Sequence, residues 1–157
     1  MPPKSTTSAA CETTRGYLHD CTVTGTHRNG IRVLVVDDQA SIRLPLCDEL
    51  GEAGFAVSAA ANVADALSVA RAQQPQVVVL DLLLGTESGL DVARTLRGEP
   101  GDNQPLIIAL SGHTGSRFVR GAGEAGCDFY LAKTSSRAEL IAAIDGLLGL
   151  SMASSHP

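Results

Sequence analysis

The amino-acid sequence predicts an α/β fold in which five strands alternate with five helices around a parallel sheet. From residue 31 onward, short apolar runs alternate with segments whose apolar residues recur at helical spacing. Three of the runs are apolar nearly throughout, as expected for strands that are covered on both faces. This (βα)5 alternation favours a doubly wound sheet with right-handed crossovers. The strand candidates are, in order, IRVLVV, FAVSAA, QVVVL, PLIIAL and DFYLA.

A helical pattern follows each strand candidate, and several patterns carry their own start and stop signals. Asn62 precedes the second pattern, with Asp65 in its first turn, and Ser136 precedes the fifth, with Glu139 three residues later. Glycines end most of the patterns. Pro45 lies inside the first pattern, where it removes a backbone donor and should bend the helix. The patterns are SIRLPLCDELGEAG, NVADALSVARAQQ, SGLDVARTLRG, SRFVRGAGEAG and SRAELIAAIDGLLG.

Composition argues against nucleic-acid binding. Aromatic residues make up only 3% of the chain and tryptophan is absent, so base stacking on aromatic platforms is not expected. The formal net charge is -5, and no basic stripe that could follow a phosphate backbone is visible. The segment GAGEAG satisfies G-x-G-x-x-G, yet it follows a helix pattern and precedes a strand, the reverse of a dinucleotide-binding context. We therefore expect no direct nucleic-acid partner.

The chain is predicted to contain one domain between two tails. A length of 157 residues suits a single well-cored unit. Residues 1–29 are rich in Ser, Thr, Gly and Pro and are interpreted as a flexible tail or leader, residues 30–149 as the domain and residues 150–157 as a C-terminal tail. The leader contains four potential zinc ligands whose spacing matches no usual zinc pattern. They are Cys11, His19, Cys21 and His27.

A cytoplasmic location is predicted. No apolar segment approaches the roughly 20 residues of a membrane span, and the N-terminus lacks the apolar centre of a signal peptide. The cysteines have no C-x-x-C spacing, and Cys47 and Cys127 fall within apolar patterns where a free thiol behaves as a small hydrophobe. These features favour a reducing compartment and no membrane partner.

Polar residues stand at the ends of four of the five strand candidates. Asp37 and Asp38 end the first, Asp81 the third, Ser111 the fourth and Lys133 the fifth. Ligands of open parallel sheets bind outside these carboxyl ends, and a solvated corner would explain one such ending but not four. Carboxylates without His or Cys partners suit Mg²⁺. With Mg²⁺ and an ammonium neutralising phosphoryl oxygens, a central carboxylate could attack phosphorus, and the third strand supplies the central candidate.

Four motifs occur in one order, namely VLVVDDQ, VVVLDLLLGTESGL, ALSG and YLAK. In this order and spacing, residues 31 to about 149 resemble the receiver domains of two-component response regulators, including chemotaxis-regulator-like proteins. The resemblance implies a flavodoxin-like sheet with strand order 2-1-3-4-5. It implies that Asp81 accepts a phosphoryl group from a phosphohistidine and that Lys133 and Ser111 contact that group. Tyr130 would be the switch aromatic, acting together with Ser111.

The resemblance also implies a Mg²⁺ site. Asp38 would ligate the ion, Asp37 would assist directly or through water, and the backbone carbonyl of Leu83 would join Asp81 in completing the protein ligands. Mg²⁺ is the only cofactor expected.

The chain departs from the family pattern at two places. Leu84 and Gly85 stand where the family often has Met-Pro, which leaves Gly89 in register. Thr134 follows Lys133 where the family usually has a proline in a cis bond. Because cis costs a non-proline residue roughly 2.5 to 4 kcal/mol, we expect a trans bond, a changed path into the last helix and a displaced or more mobile lysine.

Two other functions use similar parts. A haloacid-dehalogenase-like phosphatase needs Asp-x-Asp on its first strand, whereas this chain has adjacent aspartates. A degenerate receiver would act only as a binding module, but every acceptor-site residue is present. The leading hypothesis is a self-phosphorylating and autodephosphorylating switch, not a turnover enzyme, either stand-alone or excised from a hybrid sensor kinase. Its expected partner is a histidine kinase or a histidine phosphotransfer protein, and a weak homodimer is conceivable.

Overall fold

The predicted alternation of strands and helices is present in the computed structural model, which describes residues 28–101, 104–113 and 115–149. Each of the five predicted strands and five predicted helices is found within one or two residues of its expected ends. The elements are β1 (Arg32–Val36), α1 (Ala40–Glu52), β2 (Ala56–Ala60), α2 (Val63–Gln73), β3 (Val77–Asp81), β4 (Leu83–Leu84), β5 (Glu87–Ser88), α3 (Gly89–Gly98), β6 (Leu106–Ser111), α4 (Ser116–Ala125), β7 (Phe129–Ala132) and α5 (Arg137–Leu148).

The five long strands form one parallel sheet in the order β2-β1-β3-β6-β7. Counting only these strands, this is the predicted order 2-1-3-4-5. The order reverses at β1 and β3, because the chain moves outward from β1 to β2 and then crosses back. Val36 of β1 is level with Leu80 of β3, which is level with Ala109 of β6. The residues that follow these positions therefore meet at the switch point, where open α/β sheets bind their ligands.

Both faces of the sheet are covered by helices, which explains why the central strands are apolar throughout. In β1, Val33 and Val35 face one core cluster and Leu34 and Val36 face the other, and all four are at most 1% exposed. The first cluster is closed by α1 and α5, and the second by α2, α3 and α4. Alternation of side chains across the strand thus leads from one buried layer to another.

The predicted helix signals are used. The Asn62 side chain accepts a hydrogen bond from the Asp65 N–H at 2.8 Å and caps α2. Ser136 and Glu139 form the reciprocal capping box at the start of α5. Helix α1 continues through Pro45 from Ala40 to Glu52.

A small hairpin that was not predicted follows β3. Strands β4 and β5 pair antiparallel, and Gly85 between them has a φ of 65°, the left-handed region that favours glycine. Leu84 is buried beneath the hairpin, and the Glu87 carboxylate accepts a hydrogen bond from the Val63 N–H at 3.0 Å. The hairpin is therefore tied both to the core and to the first turn of α2.

The ends of the chain are described only in part. Residues 1–27, with the cysteines and histidines of the predicted leader, and residues 150–157 lie outside the described residues. Arg28, which the predicted boundary assigns to the leader, donates to the Asp145 carboxylate at 2.7 Å and lies 5.8 Å from the Phe55 ring centroid. Among the helices of the described residues, none has the length and apolarity that crossing a membrane requires.

Candidate functional site

The polar strand ends converge at one edge of the sheet. Asp81 is the last residue of β3, and Asp37 directly follows β1, its neighbour in the sheet. Ser111 ends β6 and is level with Ala132 of β7, so that Lys133 emerges beside it. The Lys133 N–H donates to the Ser111 carbonyl at 2.8 Å.

Three carboxylates form the centre of this edge. Asp37, Asp38 and Asp81 each offer one oxygen, and these oxygens lie within 4.8 Å of one another. Asp37 is 1% exposed and Asp81 is 5% exposed, whereas Asp38 is exposed to solvent. Burying two carboxylates so close together is costly unless cations compensate them. Nearby positive charge is therefore required.

Lys133 supplies one such charge. Its ammonium lies 3.1 Å from Oδ2 of Asp81 and 3.2 Å from Oδ2 of Asp37. No peptide bond among the described residues is cis, so the predicted trans bond between Lys133 and Thr134 is confirmed. The lysine nevertheless contacts both buried carboxylates, and Ser136 caps the helix that follows, as predicted.

Burial and neighbouring charges oppose each other at this edge. Burial raises the pKa of Asp81, the Leu83 N–H and the Lys133 ammonium lower it, and Asp37 raises it again, with a net rise above the ordinary value. Burial alone would lower the pKa of Lys133, but its hydrogen bond to Asp81 and the attraction of Asp81 and Asp37 outweigh burial, so this pKa is raised. Lys133 therefore keeps its proton, and the ionised form of Asp81 is disfavoured relative to the unfolded chain.

The residues present fit a divalent cation. When all three carboxylates are ionised, one ammonium leaves an excess of two negative charges, and every candidate ligand atom is an oxygen. Oδ1 of Asp37 accepts the Gln39 N–H at 2.9 Å. Among the described residues, no group donates a hydrogen bond to the buried Oδ2, which forms an ion pair with Lys133. Hard oxygen ligands and excess negative charge are what Mg²⁺ requires.

We predict that Asp81→Asn raises the free energy of unfolding at neutral pH in Mg²⁺-free buffer. The raised pKa of Asp81 means that its charge opposes folding, and this cost is present above the folded-state pKa. As pH falls, Asp81 becomes protonated and the gain disappears below the ordinary value of 3.8. Urea unfolding of both proteins across this pH range measures the difference. A variant that is less stable than the wild type at pH 7 would contradict the expectation.

The remaining predicted site residues lie around the acidic cluster. The Leu83 N–H donates to Oδ1 of Asp81 at 3.1 Å, and its side chain is 58% exposed. The buried Ser111 hydroxyl accepts a hydrogen bond from the His113 N–H at 3.0 Å. The Tyr130 hydroxyl donates to the His113 carbonyl. The His113 ring stacks on Phe118 of α4, with centroids 4.5 Å apart. Ser111 and Tyr130 thus hold the same short segment.

Arg43 also reaches this edge, although nothing in the sequence had placed it there. A guanidinium nitrogen of Arg43, in the first turn of α1, donates to the Asp37 carbonyl at 2.8 Å. The available signal was a cation near a helix N-terminus, where the helix dipole disfavours positive charge.

The chain is similar to response regulators and their receiver domains, both in sequence and in structure. Residues 33–145 match the family described as "Response regulator receiver domain". The curated protein "Response regulator MprA" of Mycobacterium tuberculosis is 36% identical over 118 residues, which cover 75% of this chain and 50% of that protein. The chain thus spans about half the length of the curated relatives that it matches.

Solved structures are also similar. A signal receiver domain from Bermanella marisrubri has a TM-score of 0.70 and 31% identity, covering 76% of this chain and 99% of that one. A response regulator protein from Burkholderia pseudomallei, solved with a phosphorylated aspartic acid, a calcium ion and citrate, has a TM-score of 0.65 and 27% identity. That similarity covers 79% of this chain and 75% of the Burkholderia chain.

Proposed function

Because this chain belongs to the response regulator receiver domain family, we propose that it is a phosphoryl-accepting switch whose acceptor is Asp81. The observation that carries the proposal is that Asp81 lies beside Asp37 and shares the Lys133 ammonium with it. The Asp81 carboxylate is buried at the switch point of the sheet. The phosphorylated aspartic acid in the Burkholderia pseudomallei relative supports the same chemistry here.

The proposed reaction is transfer from a phosphohistidine. A carboxylate oxygen of Asp81 attacks phosphorus, and the new O–P bond forms as the P–N bond breaks. The donor ring, protonated on its other nitrogen, takes the electron pair of the P–N bond and leaves as neutral imidazole. Burial leaves the Asp81 carboxylate poorly hydrated, so little water must be removed before it attacks. Lys133 is close enough to balance the charge on the phosphoryl oxygens, and Ser111 can turn its hydroxyl to donate to one of them.

The proposed Mg²⁺ site consists of Asp38, Asp37, Asp81 and the backbone carbonyl of Leu83. The acidic cluster with its excess negative charge supports this set. When bound, Mg²⁺ supplies positive charge to the phosphoryl oxygens and to the carboxylates. Asp81 and Lys133 retain their own roles as nucleophile and counter-ion.

The proposed switch links Ser111 to Tyr130 through one segment. The Ser111 hydroxyl accepts from the His113 N–H, and Tyr130 donates to the His113 carbonyl. Rotation of the Ser111 side chain toward a phosphoryl group would move its oxygen away from the His113 N–H and so change the anchor of Tyr130. The consequence reaches α4 through the stacked Phe118.

The proposed donor is a histidine kinase or a histidine phosphotransfer protein in the cytoplasm. Transfer from a phosphorylated histidine kinase is tested with Mg²⁺ and with an excess of EDTA. We expect label on this chain only when Mg²⁺ is present. Absence of label under both conditions favours the degenerate receiver, and repeated turnover of a phosphomonoester such as p-nitrophenyl phosphate favours the phosphatase.

We predict that Asp38→Ala weakens Mg²⁺ binding more than Asp37→Ala does. The Asp38 carboxylate is exposed and available, whereas Asp37 already accepts the Gln39 N–H and pairs with Lys133. Loss of Asp38 should raise the Kd by at least about tenfold, as loss of groups that act directly or indirectly on a metal does. Calorimetric titration measures this, with Asp91→Ala on the exposed face of α3 as the matched control. Equal affinities of the Asp37 and Asp38 variants would contradict it.

A further inference from the structure

Arg43 is a half-buried cation that reaches the acidic edge from α1. Its guanidinium donates to the Asp37 carbonyl at 2.8 Å, six residues earlier in the chain. The Arg43 backbone N–H is separately bonded to the Gln39 carbonyl at 2.9 Å, which fixes the start of the helix. The side chain therefore bends back over the helix N-terminus toward the turn that carries the two aspartates.

Arg43 is not placed where it would stabilise α1. Positive charge in the first turn of a helix opposes the helix dipole, by roughly 0.3 to 1 kcal/mol at exposed sites. The first turn of α1 contains no acidic residue, and within the part of the chain that the structure describes the Gln39 side chain forms no capping hydrogen bond. The helix thus carries an unfavourable charge at its N-terminus, and the contact that this charge makes is with Asp37.

The bond from Arg43 completes the anchoring of Asp37. The Asp37 N–H donates to the Ala60 carbonyl at 3.1 Å, and Oδ1 accepts the Gln39 N–H. Because a peptide bond is planar, holding the Asp37 carbonyl also orients the plane that leads to Asp38. Within the described residues, the Asp38 carboxylate has neither a hydrogen bond nor an ion pair. Its direction is therefore set by the backbone that precedes it.

We propose that Arg43 is a positioning residue for the cation: by holding the Asp37 carbonyl, it fixes the direction in which Asp38 presents its carboxylate. This inference rests on the proposed function, since it assigns Arg43 to the Mg²⁺ site. Arg43 itself does not ligate the ion. It plays the part that hydrogen-bonding partners behind the ligands play at other metal sites.

The sign of the change in Mg²⁺ affinity separates positioning from simple electrostatics. Arg43→Met keeps much of the aliphatic stem but removes both the charge and the donors. If Arg43 acted only as a nearby charge, its loss would reduce repulsion of the cation and tighten binding. If it positions Asp38, its loss weakens binding, by about tenfold, at the lower end of the effects seen for such partners.

The experiment is a calorimetric titration of Mg²⁺ into the wild type, Arg43→Met and Arg43→Lys, with Arg94→Met as control. Arg94 is exposed on α3 and pairs with Asp91, so its loss should leave the Kd unchanged. Lysine restores one donor together with the charge, so Arg43→Lys should bind more weakly than the wild type and more tightly than Arg43→Met. Thermal unfolding without Mg²⁺ identifies any variant that fails to fold, and the lysine variant then decides alone.

The outcomes distinguish failure of the positioning role of Arg43 from failure of the proposed Mg²⁺ site. Binding by Arg43→Met as tight as the wild type or tighter overturns the positioning role, as does Arg43→Lys binding no more tightly than Arg43→Met. In either case the proposed function stands if Asp38→Ala still weakens binding. A wild type that shows no saturable Mg²⁺ binding overturns the metal site and the role of Arg43 together.

Discussion

Asp81→Asn is expected to abolish phosphorylation by acetyl phosphate in the presence of Mg²⁺. Asparagine has nearly the same shape as aspartate and can still accept the Leu83 N–H, but a neutral amide does not attack phosphorus. Asp37 is not expected to replace Asp81, because it is even less exposed, at 1% against 5%, and it is assigned to the cation site. The measurement is the mass of the intact protein, which gains one phosphoryl group in the wild type and none in the variant.

Two controls make this result specific. Asp91→Asn, on the exposed face of α3, should be labelled like the wild type. Unfolding in Mg²⁺-free buffer should show Asp81→Asn to be at least as stable as the wild type, since the charge that it removes opposes folding. Loss of label then reflects loss of the nucleophile. Label that persists undiminished on Asp81→Asn would place the acceptor elsewhere.

The alternation of strands and helices was predictable because its determinants are local, whereas the strand order was expected only from the family resemblance. Apolar runs identify strands covered on both faces, and cap residues such as Asn62 and Ser136 mark helix starts within the chain itself. Parallel strands place all their carboxyl ends on one edge, so polar residues at the ends of β3 and β6 and directly after β1 and β7 had to meet there. The convergence of Asp37, Asp81 and Lys133 follows from topology alone.

The directions of side chains and backbone groups were not predictable in the same way. The sequence gives no sign that the Ser111 hydroxyl accepts the His113 N–H, or that Tyr130 reaches the carbonyl of the same residue. The β4–β5 hairpin depends on a left-handed glycine and on the tie between Glu87 and Val63, which are distant in sequence. Such contacts depend on the relative placement of elements that periodicity does not specify.

Gly89 sits where the structure allows no side chain. A Cβ at this position would lie 2.1 Å from the Asp81 carbonyl oxygen and 2.9 Å from the Leu82 Cα, both of which are backbone atoms. The Gly89 N–H donates to the Leu82 carbonyl at 2.8 Å. Moving the start of α3 away from β3 to make room for a side chain would therefore break this hydrogen bond. The φ of Gly89 lies outside the left-handed region, so its backbone conformation does not require glycine. Glycine is required here because there is no space for a Cβ.

Gly89→Ala is therefore expected to destabilise the fold by about 3 kcal/mol or more, at the upper end of the cost of overpacking, since backbone atoms cannot rotate away. For a domain of this size that corresponds to a fall in Tm of roughly 10 °C. Gly98→Ala, at the other end of the same helix, is the matched control. No atom of the described residues lies within 4 Å of its added Cβ, so this variant should be neutral or slightly stabilising. Thermal unfolding in Mg²⁺-free buffer compares the two variants.

Because the displaced atom belongs to Asp81, the Gly89 variant should also accept phosphoryl groups more slowly from acetyl phosphate at temperatures where it is folded. Equal Tm values for the two variants would show that α3 and β3 do not approach this closely.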